Sequence, residues 1–386
     1  MTDGRFLMSQ PKCFVTGCCG RIGSSVANIL FQSGYQVHGY DQCNCPLTLQ
    51  TKLSSFTKGK IQDQETLLTA MQGSSIVVHL AACPDDADFE SILLPSNIQG
   101  TAALLKTIET INIKASTKPQ QSTPITRLII ASSGKLFAGY TGTYPITLTN
   151  AISPICAYGA TKSFVESSAQ VFSTDSVSGC TTVCLRFAWC PRTEQDMAAY
   201  RQIPITQPDE FLSPHDAATC VLAAIQSNNL PLYSNLFVQS LPSKNRVPRF
   251  DLSTTTNVLK WVPERTFPDN MDAIVQDRDK NMDLHLKDRC KTTPGSFQSS
   301  TSETKTTDAT TLLTSSSSMM IPSSGECQNF SVRERVTPEE WNLRVQVAAA
   351  YQIFAMHPGW THSIHTHITA KVPTENGTEE LFLINP

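Results

Sequence analysis

The chain has 386 residues, 40% of them hydrophobic and 16% charged, with a net charge of −3. That length suits two or three domains with ordinary cores, and so even a charge balance gives no electrostatic footprint for nucleic acid. No apolar run approaches the ~20 residues a membrane span needs, and the opening MTDGRFLMSQPK lacks the apolar stretch of a signal peptide. A cytoplasmic location is therefore expected. The 13 cysteines then read as reduced thiols, odd in number and with no CxxC pair.

In chain order, the first predicted strand is Cys13–Val15. It is followed by Gln36–Tyr40, Ile76–Leu80, Arg127–Ala131, Thr182–Leu185 and Leu236–Gln239, with helical patterns between most of them. This alternation predicts βαβ units and an α/β, doubly wound parallel sheet. The pattern stops near Trp261. From Lys291 to Gly325, 19 of 35 residues are Ser or Thr, a composition that cannot offset ordering entropy and reads as a disordered linker. At Thr337-Pro338-Glu339-Glu340 an N-cap, a first-turn proline and two acids predict a helix to about Met356. The expected divisions are thus 1–270, a 271–335 linker, and 336–386. No internal repeat is present.

The first strand runs into VTGCCGRIGS, with Gly17, Gly20 and Gly23 in the spacing T-G-x-x-G-x-x-G. Glycines there allow a tight turn and close backbone approach to a pyrophosphate at the N-terminus of the next helix. The second strand ends in Asp41, about 20 residues on. A carboxylate there bonds the adenosine ribose hydroxyls and repels a 2′-phosphate. No Arg or Lys follows in Gln42–Cys45, so NAD is expected rather than NADP.

In SPICAYGATK (Ser153–Lys162), Ser153 is the expected N-cap and Pro154 fits the first turn. Tyr158 and Lys162 then stand four apart on one helix face. A free phenol titrates near about 10. A neighbouring ammonium favours the phenolate, which makes Tyr158 a candidate general base. Ser132-Ser133 end the preceding strand, and carboxyl ends of such strands face the ligand crevice.

These residues resemble the short-chain dehydrogenase/reductase superfamily in its extended, NAD-dependent epimerase/dehydratase form. The resemblance runs from about Lys12 to Pro268, through TGxxGxxG, HLAA (His79–Ala82), NIQGT (Asn97–Thr101), the Ser-Ser strand end and YGATK. It implies a Rossmann-type sheet with a small C-terminal substrate lobe. It also implies Ser133 polarising the substrate oxygen, Tyr158 moving the proton, and Lys162 holding the nicotinamide ribose. Arg21, Ile22, Ala81 and Asn97 join the glycines and Asp41 around the cofactor. FLSPHDAA (Phe211–Ala218) looks like the segment that docks a helix behind the sheet. A homodimer is compatible with the resemblance.

The departures are informative. Lys60 stands where an aspartate contacts adenine, with Asp63 nearby. Phe137-Ala138 replaces a tyrosine-glycine pair. Gly134 and Lys135 occupy the place of the acidic residue of dehydratases, which argues against dehydration. After Leu185-Arg186 the chain reaches His215 quickly, without the asparagine that binds a nucleotide-sugar diphosphate. That shortened region, with FESILLPSNIQGT (Phe89–Thr101), is similar to uronate dehydrogenases. Arg186 matches their carboxylate-binding arginine; the other reading of Arg186 is an ion pair at the strand end.

Residues from about Val336 resemble the opening of class II aldolase/adducin domains in TPEEWNLRVQVAAAYQIF, GWT, HITAK and LFLINP. Only about 50 residues of such a domain are present, and its zinc histidines and catalytic acid would lie beyond Pro386. His362, His365 and His367 have no Cys or carboxylate at a zinc-site spacing. Cys18-Cys19 and Cys43/Cys45 read as small residues near a glycine loop, so no metal is expected. The function expected is hydride transfer between NAD and a CH–OH group of a small sugar or sugar acid. One alternative is a sugar epimerase with tightly held NAD. Another is a non-catalytic NAD-binding or adducin-like interaction protein, against which the Ser133/Tyr158/Lys162 set weighs.

Overall fold

Each sheet strand sends alternate side chains to opposite faces, and here both faces are apolar. Leu128 and Ile130 pack on one side while Ile129 packs on the other. A strand buried on both sides belongs in a parallel sheet covered by helices on both faces, which is the arrangement found. The computed structural model describes residues 11–84, 86–175 and 180–268, together with the backbone of 369–372 and 381–384.

The strands are β1 (Lys12–Thr16), β2 (Gln36–Asp41), β3 (Ser55–Lys58), β4 (Ile76–His79), β5 (Arg127–Ser133), β6 (Thr181–Phe187) and β7 (Tyr233–Val238). They form one parallel sheet in the order β3-β2-β1-β4-β5-β6-β7. The order reverses between β1 and β4, so a crevice opens there at the carboxyl ends of the strands. All six predicted strands are present with ends shifted by a few residues. β3 was not predicted: SFTK is a short edge strand of half-buried and exposed residues, with no apolar run to announce it.

One face is covered by α1 (Arg21–Gln32) and, further along, α7 (Pro214–Gln226), which pack on each other through residues such as Val26, Ala27, Leu30, Val221 and Ala224. The other carries α3 (Gln64–Met71), α4 (Gly100–Thr117) and α5 (Ala157–Thr174). Between β2 and β3 lies the short α2 (Leu47–Gln50), and a π-helical stretch, Phe89–Gln99, runs on into α4. Ser213 caps α7 through Asp216 N–H, and Pro214 takes its first turn, as the FLSPHDAA segment implied.

Beyond β6 the chain adds α6 (Glu194–Arg201) and α8 (Ser253–Leu259), the latter against β7 and α7, with a satellite core of its own around α6. Isolated bridges such as Trp189↔Phe211 and Ile146↔Phe250 tie the loops together. The centre of the satellite core is an aromatic group of Trp189, Tyr200, Phe211 and Phe267. The buried Asp209 carboxylate accepts from Tyr200 Oη and from the backbone N–H groups of Phe211 and Ser243.

The chain divides into two units, 1–297 and 298–386. Within the second, β8 (Thr369–Val372) and β9 (Leu381–Ile384) pair antiparallel, Thr369 opposite Ile384. They fall in two of the segments singled out in the sequence, HITAK and LFLINP. The predicted helix to Met356, the Ser/Thr linker, the boundary near residue 270 and His362, His365 and His367 lie outside the described residues. Among the described residues, no helix is long and apolar enough to cross a membrane.

Candidate active site

The glycine loop occupies the reversal of strand order. Gly17 has φ +70°, and a Cβ there would stand 2.7 Å from Ala81 N at the end of β4. Gly23 is equally obligatory: its Cβ would lie 2.0 Å from Gly17 O. A side chain at either position would fill the cradle or push the loop off β4. Gly20 is the N-cap of α1 with no side-chain cap, and the first turn of α1 carries no acidic residue. That leaves an N-terminus whose N–H groups and dipole suit a pyrophosphate.

Beneath the loop, Thr16 Oγ1 pairs with His79 Nδ1 at 2.8 Å and accepts from the N–H of Leu80 and Ala81. His79 Nε2 stands 3.3 Å from Thr101 Oγ1. Burial, and secondarily the Lys162 ammonium, push His79 down to about 3, so it is neutral. The HLAA histidine therefore ties the end of β1 to the end of β4, a role its sequence did not announce. Arg21 is buried, and its Nη1 donates to Arg192 O in the loop after β6. Ile22 packs on the sheet core.

Asp41 sits at the end of β2, beside the loop. Its carboxylate accepts from Cys19 N–H at 3.0 Å and Cys43 N–H at 2.9 Å. Around it the structure gathers groups that the sequence left separate: one oxygen of Asp41 and the sulfurs of Cys18 and Cys19 lie within 4.8 Å of one another. Lys60 and Asp63 do not restore the adenine aspartate. Asp63 caps α3 by accepting from Thr66 N–H, and Lys60 O accepts from Tyr40 Oη.

The helix carrying Tyr158 and Lys162 begins later than expected. Ser153 N–H donates to Leu136 O, and Ser153 O accepts from Gly139 N–H, which holds it in the loop. Cys156 is the N-cap instead, its sulfur accepting from Gly159 N–H. Asp86 adds a carboxylate at this end, accepting from Tyr158 N–H at 3.0 Å, where a negative charge suits the helix dipole. The register is unaffected: Tyr158 is 9% exposed, Lys162 is 3% exposed, and Lys162 Nζ lies 5.6 Å from the Tyr158 ring centroid. Lys162 Nζ donates to Ala131 O at 2.9 Å, anchoring α5 on β5 two residues before Ser133. Burial lowers Lys162 to about 8.

Asn97 is buried behind this pair. Its amide bridges Cys83 O and Thr161 Oγ1 at 3.1 Å each and accepts from Cys83 N–H at 2.8 Å. It thus locks the segment after β4 onto α5. Ser133 and Ser132 point opposite ways. Ser133 Oγ accepts from Lys135 N–H, capping the short 3₁₀ turn Gly134–Phe137. Ser132 Oγ donates to Glu166 Oε1 at 2.6 Å.

Arg186 is drawn into that second arrangement. Its Nε and Nη2 each reach Glu166 at 2.8 Å, and its guanidinium lies 5.1 Å from the Phe137 ring centroid and 5.5 Å from that of Phe237. Of the two readings of Arg186, this geometry shows the ion pair at the strand end. Phe137, in place of tyrosine, supplies one face of the guanidinium's slot. Gly134 has no room for a larger residue: a Cβ would meet Phe250 Cζ at 2.7 Å.

A parallel sheet reversing at a glycine loop, with a buried Tyr/Lys pair on the helix beside it, defines a Rossmann-type nucleotide-binding protein. Residues 13–189 match the model of the NAD dependent epimerase/dehydratase family. Among solved structures, the chain is similar to uronate dehydrogenase from Agrobacterium tumefaciens: 18% identity, 75% of this chain and 93% of that one, TM-score 0.50. It is likewise similar to UDP-glucuronic acid 4-epimerase from Bacillus cereus in complex with UDP-glucuronic acid and NAD: 18% identity, 69% and 98%, TM-score 0.54. A separate likeness joins 62 residues, 16% of the chain, to a Caulobacter vibrioides protein named "Putative aldolase class 2 protein", with 44% identity over 23% of that protein. The chain spans about a fifth of the length of the curated relatives it matches.

Proposed function

We propose that this protein is an NAD-dependent oxidoreductase of the short-chain dehydrogenase superfamily, acting on a CH–OH group of a small sugar or sugar acid. The observation that carries the reading is Lys162, buried under the Tyr158 ring and anchored to Ala131 O at the end of the strand that bears Ser133. The dinucleotide fits the residues present, because the cradle at Gly17 and Gly23 excludes any side chain and Asp41 stands at the ribose end.

NAD, when bound, supplies a nicotinamide that accepts or donates a hydride. The remaining work falls to the chain. The loop and the start of α1 hold the pyrophosphate, and Asp41 orients the ribose. Lys162, charged below about 8, draws the Tyr158 phenol toward phenolate. Tyr158 Oη takes the proton from the substrate hydroxyl in oxidation and returns it in reduction. Ser133 Oγ hydrogen-bonds the same substrate oxygen and holds it facing Tyr158.

The substrate class is supported by the two solved likenesses, whose names concern uronates and UDP-glucuronic acid. The short run from Phe187 to the start of α7 leaves little chain for a UDP pocket, which favours a free sugar or sugar acid over a nucleotide sugar. With Arg186 committed to Glu166, a carboxylate on the substrate would need another partner, so neutral sugars and lactols belong in the test. The experiment is a panel of uronic acids, neutral aldoses and UDP-sugars with NAD, read as NADH formation and by product analysis for inversion. NADH formation on a free sugar or sugar acid bears the reading out. Turnover of UDP-sugars alone, with inversion and no net NADH, replaces it with epimerisation. No turnover of any compound with NAD firmly bound favours an interaction protein.

A further inference from the structure

The thiols beside the glycine loop belong to no step proposed above, and they are not scattered. Cys18 and Cys19 are adjacent in sequence, yet their sulfurs converge to 3.9 Å. Two sulfurs about 2.3 Å from one tetrahedral zinc ion stand about 3.8 Å apart, so the spacing is that of two ligands of one ion. An oxygen of Asp41 lies within 4.8 Å of both sulfurs. Room for the Cys18 sulfur is provided by Gly39 on β2, where a Cβ would press on it at 2.8 Å.

We propose that Cys18, Cys19 and Asp41, with solvent in the fourth position, form a site for a soft divalent cation of the zinc class. The donor set decides the class. Two thiolates with one carboxylate suit zinc, cobalt or cadmium, while magnesium and calcium require oxygen donors throughout. Cys18 is fully buried, but Cys19 is only partly so, which gives an ion an entry path. Each thiol that ligates releases its proton to solvent, and no oxidant or reductant is involved. The cation and the adenosine ribose would then contend for Asp41, so metal and NAD exclude each other. Only this last point rests on the oxidoreductase reading.

The test uses the full chain, NAD-free and reduced with a phosphine, titrated with Co²⁺ alone and then with Zn²⁺. One equivalent of Co²⁺ should bind with strong thiolate charge-transfer bands, be displaced by Zn²⁺, and be lost in the Cys18→Ser/Cys19→Ser double variant. Zn²⁺ at ten times its Kd should raise the apparent Kd for NAD about tenfold by mass action. Equal Co²⁺ uptake and bands in the wild type and the double variant overturn the site. If the double variant does not fold, Cys19→Ser decides: unchanged bands and Kd overturn it, and lost bands support it. Cysteine-dependent uptake that is indifferent to NAD supports the metal site while counting against Asp41 as the ribose anchor.

Discussion

Arg186 and Glu166 form a two-point ion pair with both side chains only 7% exposed, the last residues of β6 gripping the middle of α5. Ser132 donates to the same carboxylate, and Tyr233 Oη donates to Glu166 O. The helix that presents Tyr158 and Lys162 is therefore fastened to the sheet at three strands. Removing one partner of such a pair strands a buried charge, which typically costs about 3–5 kcal/mol. Arg186→Met should lower stability by that order in denaturant unfolding, and Arg186→Met/Glu166→Leu should recover much of it. A large rise in substrate KM at unchanged stability would instead return Arg186 to the substrate.

Tyr158→Phe keeps the ring over Lys162 and removes the oxygen that moves the proton. Turnover should fall roughly 10²–10⁴-fold, with the Kd for NAD within a few-fold of wild type. Stopped-flow hydride transfer and calorimetric NAD binding check the two halves separately. Near-normal turnover in this variant excludes Tyr158 as the base.

Asp41 has two duties, to the ribose and to the N–H groups of Cys19 and Cys43. Asp41→Ala should relax the preference for NAD over NADP and also lower stability by about 1–3 kcal/mol, because buried donors lose their acceptor. Asp41→Asn retains the acceptor oxygen, so it should relax the preference at a smaller stability cost. The ratio of kcat/KM for the two cofactors measures the first effect, and thermal melting the second.

His79 makes stability depend on pH. Its pKa falls from an ordinary 6.5 to about 3 on folding, chiefly through burial. Between those values the unfolded chain binds a proton that the folded chain refuses, so stability rises with pH. The contribution is whole above about 6.5 and drains away as pH falls toward 3. His38, lowered to about 4 by burial, adds a slope of the same sign. His79→Gln should flatten the profile by up to about 1.4 kcal/mol per pH unit within that window. Urea titrations from pH 7 to pH 4 read it out, and a parallel profile would show that His79 is not buried neutral.

The sequence by itself determined the sheet and most of the cofactor site. Apolar strands alternating with helices have few packings, and glycines at fixed spacing answer a steric demand local to one turn: Gly17 at positive φ and Gly23 under Gly17 O. The spacing of Tyr158 and Lys162 was equally local, since four residues on a helix share a face wherever the helix begins. Its start was not legible. Ser153 looked like a cap, but Leu136 O and Gly139 N–H, distant in sequence, hold it in the loop. β3 also escaped, because an edge strand needs no apolar run. Tertiary structure alone decided the direction of the charged and sulfur-bearing side chains. Whether Arg186 faces a ligand or Glu166 depends on which residue of α5 lies over β6. Whether Cys18 and Cys19 are filler or a cluster depends on how the loop folds toward Asp41 and on the space Gly39 leaves. A buried charge or thiol takes its meaning from partners in other strands, and those partners are chosen by packing.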